Sequence, residues 1–243
     1  MDLSSSDAYD LPERVARYDR DMDIMHPLRS KMIDIAVEVL PFDATEKLSI
    51  LDLGVGTGVF SKELLDAYPL ANIVAVDGAA SMLDLAASRL TGLSERIQWV
   101  QADFRVLPDE ITGADAYDVV ISSYALHHLN ATEKQAVLNS AVSSLRSGGW
   151  LLNADLVVAA SPQIERRIQM IRVAGVTARA PESDERFVNE HTTRQLLDEL
   201  EEHENDQPLS LDDDLRMFRE SGLPNAEVFW REYREVVIGG YRE

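Results

Sequence analysis

Apolar positions along the chain keep two rhythms that take turns. In residues 29–40, RSKMIDIAVEVL, the positions Met32, Ile33, Ala36, Val37 and Leu40 recur at helical spacing. The next run, KLSILDLGVGTG, is different: Ile50, Leu51 and Leu53 stand together and stop at glycines, the pattern of a buried strand ending in a tight loop. The same alternation continues. Residues 59–67 predict a helix with Phe60, Leu64 and Leu65 on one side, and 71–78 predict a second buried strand. A helix over 81–90 carries Met82, Leu83, Ala86 and Leu90 at core spacing. Strands are predicted over 97–104, 118–126 and 150–157, with a helix over 131–149 stopped by Gly148-Gly149. Strands that alternate with helices imply a parallel sheet covered on both faces.

The rhythm breaks after residue 158. Residues 161–207 hold helical stretches and no strand signal. Between Glu182 and Asp214 there are 13 acids against two bases, Arg186 and Arg194, a pattern that reads as a solvated face. Residues 210–222 predict a helix capped by Ser210 and closed by Gly222. AEVFWRE and REVVIGGYRE lie too close together for a crossover helix, so they pair antiparallel. The expected fold is α/β: a doubly wound, mostly parallel seven-stranded sheet with an antiparallel last strand. A helical insertion, 161–207, precedes the final two strands. Residues 1–28 are expected to form an N-terminal arm, its first 15 residues loose and polar, and 29–243 one domain.

Composition narrows the function. The 243 residues include 43 acidic and 23 basic side chains, a formal net charge of −20. So acidic a chain repels phosphate backbones and anionic lipid, which argues against nucleic acid and membrane as partners. There is no cysteine, so disulfides, thiol nucleophiles and Cys-containing metal sites are excluded. No apolar run approaches the roughly 18 residues of a membrane span, and the first residues lack the basic start and apolar core of a signal peptide. The expectation is a soluble, cytoplasmic protein, with a homodimer left open.

LDLGVGTGVF places Gly54, Gly56 and Gly58 after a strand and before a helix, where backbone comes close to a ligand. A dinucleotide fingerprint needs glycine at 54, 56 and 59, but residue 59 is Val. Asp77 ends the second strand, where a carboxylate can accept both hydroxyls of a ribose. Asp103 and Phe104 end the third; Asp103 can accept from an exocyclic amine, and Phe104 or Met82 can flank a purine ring. Each has a plainer reading as helix cap or core residue. Together, three successive strand ends carry groups suited to one adenosine-like ligand.

These motifs, Asp52-Leu-Gly54-Val-Gly56-Thr-Gly58, Ala-Val-Asp77, Ala-Asp103-Phe104, the strand ending Ser-Tyr-Ala-Leu-His-His and Gly148-Gly149-Trp, resemble the class I S-adenosylmethionine-dependent methyltransferases. The likeness runs from about residue 18 to the end. Tyr18-Asp-Arg and Val-Ile-Gly-Gly-Tyr look most like the small-molecule and carboxy-SAM-synthase-like branches. Gly78 departs from the pattern, since many members carry a longer residue beside the ribose acid. The resemblance implies S-adenosylmethionine as cofactor and a small-molecule methyl acceptor. The glycine loop would hold the methionine part, Asp77 the ribose, and Asp103 with the Phe104 amide the adenine. Ser122 would lie near the methionine part, and Tyr18 would fold over from the arm.

Such a reaction needs alignment and exclusion of water, and a base when the nucleophile starts protonated. Tyr124, His127 and His128 are the candidates beyond the fourth strand, with His127 the first choice; a hydrogen-bonded scaffold is the alternative for the His-His pair. Asn153 and Asp155 end the fifth strand and also face the pocket on this reading. No metal is expected, because the fourth strand ends in Ser-Ser-Tyr without a carboxylate, and Asp212-Asp213-Asp214 reads as the negative first turn of a helix. A cofactor-modifying, carboxy-SAM-synthase-like enzyme remains an alternative, with Arg166, Arg167, Arg172 and Arg179 as donors to a carboxylate. A non-catalytic cofactor-binding subunit is another.

Overall fold

The computed structural model describes residues 15–243, so residues 1–14 of the expected arm lie outside the described residues. The rest of the arm contains a helix, α1 (Tyr18–Met25), which buries Met22 and Ile24. After α2, Arg29–Val39, the strands and helices alternate as their patterns require: β1 (Ser49–Leu53), α3 (Val59–Ala67), β2 (Asn72–Asp77), α4 (Ala80–Arg89), β3 (Ile97–Gln101), β4 (Tyr117–Ser123), α5 (Ala131–Ser144) and β5 (Leu145–Leu156). Helices α6 (Pro162–Arg179) and α7 (Glu190–His203) fill the insertion, and α8 (Leu211–Glu220), β6 (Glu227–Glu232) and β7 (Glu235–Tyr241) complete the chain.

The seven strands run in the order β3-β2-β1-β4-β5-β7-β6. The first five are parallel; β7 lies antiparallel between β5 and β6. Side chains alternate across the sheet, as the two-residue period of a strand requires. Ile50, Val119 and Ile121 face one way, into a core built with α2 and α3. Leu51, Leu53 and Val120 face the other, toward α5 and α8. A third, smaller cluster joins Ile24 of α1 to Val173, Val176 and Leu197 of α6 and α7.

Two expectations need correction. Helix α5 starts as predicted, capped by Asn130, which accepts from the Thr132 and Glu133 amides while Glu133 returns a bond to the Asn130 amide. It ends at Ser144, not at 149. Residues 145–149 belong to β5: Leu145 pairs with Tyr117, the Gly148 amide donates to the Arg242 carbonyl at 2.6 Å, and the Arg242 amide to the Gly149 carbonyl at 2.9 Å. The sheet claims these backbone groups before the helix can. The acidic run is not wholly a solvated face either. Asp214 is fully buried, Asp206 nearly so, and Glu201 is partly enclosed; each meets a cationic or histidine partner from a distant segment. Among the described residues no helix is long and apolar enough to cross a membrane.

The Asp214 partner is Lys134 of α5, at 3.0 Å, with both side chains about 1% exposed. Burial raises the pKa of Asp214 and the lysine charge opposes that rise. Removing one member of a buried pair strands the other charge, at a cost of about 3–5 kcal/mol. Lys134→Met should therefore lower the unfolding free energy by that amount in urea titration. The double variant Lys134→Met/Asp214→Leu should recover most of it. A single variant as stable as the wild type would show that the pair does not join α5 to α8.

Candidate functional site

The carboxyl ends of β1, β2 and β4 open on one edge of the sheet and bound a cavity. Its floor is the turn after β1. The amides of Gly54 and Val55 both donate to the Val76 carbonyl at 2.9 Å, folding the loop back on β2. Gly54 has φ +79°, and a Cβ there would lie 2.5 Å from the Cβ of Ala125, so any side chain would close the cavity against the turn after β4. At Gly56, φ +54°, the space toward the cavity is open. The Gly56 amide donates to one oxygen of Asp77 at 2.8 Å and the Ala79 amide to the other at 2.9 Å. Asp77 thus fixes the glycine loop while lining the cavity.

Met82, Phe104 and Asp103 line the same space. Both oxygens of Asp103 already accept from Arg105, the Nε at 2.9–3.0 Å and a terminal nitrogen at 2.6 Å. Burial pushes the Asp103 pKa up, but the Arg105 bonds outweigh it and hold it below the usual value. Asp52 stands at the wall, 1% exposed, and accepts from Ser61 Oγ at 2.6 Å. Burial, aided by the charge of Asp77, pushes its pKa up to about 7. Ser122 is a correction. It is fully buried and donates to the Leu53 carbonyl at 2.8 Å, so it bridges β4 to β1; its neighbour Ser123, on the opposite side of the strand, lines the cavity.

Helix α1 roofs this edge. Tyr18 lines the first cavity and also a second one beside it. Asp19 ties α1 to the glycine loop and α4: it accepts from Thr57 Oγ at 2.8 Å, from Arg29 at 3.1 Å, and pairs with Arg89. Asp21 ties it to the insertion, through two bonds from Arg186 at 2.7 and 2.8 Å.

The second cavity lies beyond the end of β4. Tyr124, at φ +47°, turns the chain there and lines both cavities. Its hydroxyl donates to Glu235 Oε1 at 2.9 Å, the same oxygen that His26 Nδ1 meets at 2.9 Å. Burial, with the Glu235 charge, raises the Tyr124 pKa well above that of a free phenol, so it stays protonated. His127 is 4% exposed. Its Nδ1 meets Asp155 Oδ1 at 2.5 Å and its Nε2 lies 3.5 Å from Asp206 Oδ1. Burial disfavours the charged ring, but Asp155 first and Asp206 next raise its pKa to about 9. His128 lines the first cavity, with Nδ1 2.9 Å from Asp206 Oδ1.

The insertion borders the second cavity through α7 and one arginine of α6. Ile164 is 57% exposed, and Ile168 and Ile171 line a neighbouring pocket against Arg179. The apolar cover comes from Leu196, Leu197 and Leu200 of α7. Of the four arginines, Arg172 reaches this cavity, paired with Glu201, which also binds Arg234 at 2.8 Å. Arg179 donates to the Ile24 carbonyl. His26, Asp206 and Glu235 were missed as site residues. Asp206 lies inside an acidic run and Glu235 inside a short strand, and nothing in their spacing marks them. Among the described residues, ligand-type atoms of His127, His128 and Asp206 lie within 4.8 Å of one another, a grouping the expectation of no metal did not foresee.

Residues 50–149 match a family model described as a methyltransferase domain. Malonyl-[acyl-carrier protein] O-methyltransferase of Acetivibrio thermocellus is 31% identical over 136 residues, 56% of this chain and 45% of that protein. The chain matches about half the length of such relatives. An O-methyltransferase family protein from Burkholderia thailandensis superposes with TM-score 0.67 at 18% identity, covering all of this chain and 64% of that one. Haemonchus contortus phosphoethanolamine N-methyltransferase 2, solved with S-adenosyl-L-methionine, gives 0.66 at 15%, covering 93% and 46%. These two likenesses establish the fold.

Asp52 generates a pH dependence. Its folded pKa of about 7 lies above its ordinary value of 3.8. Between these values the folded state binds a proton that the unfolded state has lost, so this group's contribution to stability falls as pH rises from about 4 to 7. Asp52→Asn removes that dependence. In thermal melts without ligand, the variant should match the wild type near pH 4 and exceed it at pH 8, by at least about 2–4 °C, the shift of one kcal/mol in a chain of this size. A constant difference across this range would contradict the raised pKa.

Proposed function

We propose, for a chain whose residues 50–149 match a methyltransferase domain, S-adenosylmethionine-dependent methyl transfer to a small-molecule acceptor by in-line displacement. The carrying observation is one cavity edged by the glycine loop, Asp77, Met82 and Asp103–Phe104, which shares Tyr18 and Tyr124 as lining residues with a second, partly apolar cavity. The residues fit the cofactor. A Cβ at Gly54 would clash with Ala125, Gly56 leaves open space, and the Asp77 carboxylate stands beside the glycine loop at the cavity, where it can face ribose hydroxyls.

The cofactor supplies a methyl group on a sulfonium, already activated toward a nucleophile. The chain's own part is alignment and exclusion of water. Tyr18 and Tyr124 form the wall across which the two ligands meet. His127, held by Asp155 through Nδ1 and facing Asp206 through Nε2, borders the second cavity; with its pKa raised to about 9, it serves as a base toward the acceptor only in alkaline solution. Tyr124 is a positioning residue, since Glu235 takes its proton's hydrogen bond. Asp103 reaches the adenine edge only by sharing its oxygens with Arg105. The second cavity favours an enzyme over a purely cofactor-binding subunit. The commitment of Arg172 and Arg179 to partners of the fold leaves the cofactor-modifying alternative without either of these arginines for a carboxylate.

Calorimetry with S-adenosylmethionine, its demethylated product and NAD tests the reading directly. The first two should bind and NAD negligibly; tighter binding of NAD would overturn it. Asp77→Ala should weaken both by at least about tenfold, since each charge-assisted bond contributes roughly 1.5–3 kcal/mol. Because Asp77 also holds the Gly56 amide, Asp77→Asn should lose less than Asp77→Ala. An unchanged affinity in Asp77→Ala would reduce it to a loop anchor.

Residues 161–207 act in this reading as a lid that sets acceptor choice. Hydrogen exchange should show protection of 161–180 on cofactor binding, beyond that of the sheet. Equal exchange with and without cofactor would count against a lid.

A further inference from the structure

We propose that His127, His128 and Asp206 form a site for one divalent transition-metal ion, set where the two cavities meet. Binding of the ion stands on the residues alone; its catalytic use rests on the methyl-transfer reading above. The three side chains come from two segments far apart in sequence. His127 and His128 follow Tyr124 on the short turn Leu126–His128, and Asp206 follows α7. Backbone bonds lock the segments in register: the Gln207 amide donates to the His127 carbonyl at 2.7 Å, and the Gln207 side chain reaches the His128 carbonyl at 3.5 Å. Gln207 thus holds the segment of Asp206 beside the histidines through one main-chain and one side-chain bond, apart from the contacts of the carboxylate itself.

The three donor atoms lie within 4.8 Å of one another. Asp206 Oδ1 lies 2.9 Å from His128 Nδ1 and 3.5 Å from His127 Nε2. Metal–ligand distances near 2.0–2.1 Å in a tetrahedral site place donors about 3.3 Å apart. His127 has the outer partner that metal-binding histidines require: Asp155 takes its other ring nitrogen at 2.5 Å, which fixes the tautomer and turns Nε2 toward Asp206. In the metal-bound state both imidazoles are neutral, and one ligating carboxylate with one outer carboxylate balances a charge of +2. The mixture of nitrogen and oxygen donors selects zinc, cobalt or nickel over magnesium and calcium. Three protein donors leave a fourth position open, as in catalytic sites. His128 borders the cofactor cavity, and His127 and Asp206 border the acceptor cavity, so that position lies between the ligands.

The consequence is a way for His127 to act. A Lewis acid at that point lowers the pKa of a hydroxyl bound to it. The hydroxyl proton passes to solvent water. The oxygen lone pair forms the new bond to the methyl carbon, and the pair of the broken carbon–sulfur bond stays on sulfur.

The test uses the full chain, dialysed against a chelator and titrated with cobalt(II) under visible absorption. The wild type should bind one equivalent with ligand-field bands of a nitrogen–oxygen set, displaced by zinc. A net charge of −20 attracts cations to the surface as well, so the variants decide. Asp206→Ala and His127→Ala should each lower affinity at least about 100-fold, and Asp155→Asn about 10–100-fold. Should a variant fail to fold, X-ray absorption of the zinc-loaded wild type must still report two imidazoles. No saturable single site, variants that bind as tightly as the wild type, or no imidazole scattering would each overturn the proposal. Metal binding without any affinity for S-adenosylmethionine would overturn the methyl-transfer reading and leave the metal site standing. Cofactor binding without metal binding would do the reverse.

Discussion

The sheet is parallel from β3 to β5, and that constraint governs everything else. Parallel strands end on the same edge, so each strand carries its last residues to one line. The loop after β1, Asp77 after β2, Asp103 after β3 and Tyr124 after β4 are neighbours for this reason, although up to 70 residues separate them. The helices on the two faces keep that edge uncovered. Only α1 and the insertion are left to close it, and both carry charged side chains that hold them in place.

This geometry explains how unevenly the sequence could be read. Strands β1, β2 and β4 announce themselves because they are buried on both faces and their apolar runs end at glycine, Asp77 or serine. The glycine loop and Asp77 were legible because their chemistry sits next to its strand in the chain. Ser122 was misjudged by one residue: alternation along β4 turns it to Leu53 and leaves Ser123 at the cavity. The end of α5 was misplaced because helix propensity is local, whereas the partners of Gly148 and Gly149 stand at residue 242. Asp206, Glu235 and His26 were invisible on the same ground. Their partners lie 79, 111 and 209 positions away, and no spacing rule spans such intervals.

Charge shows the same division between composition and placement. An excess of 20 acids describes the surface as a whole. The carboxylates with chemical consequences are those withdrawn from it. Asp155, Asp206 and Glu235 each face histidine or tyrosine, and Asp214 faces lysine, in surroundings where an unpaired charge is expensive. Their arrangement fixes ring orientations at the end of β4 more firmly than apolar packing would.

Helix α1 is eight residues long, yet it touches both cavities through Tyr18, the glycine loop through Asp19 and the insertion through Asp21. In the two-ligand reading proposed above, both ligands would lie against this same short element. Thermodynamic reciprocity then applies: the factor by which the first ligand tightens or loosens the second must equal the factor in the opposite order. A change at the Asp21–Arg186 contact, remote from the glycine loop, would therefore register as cooperativity between two molecules that it never meets.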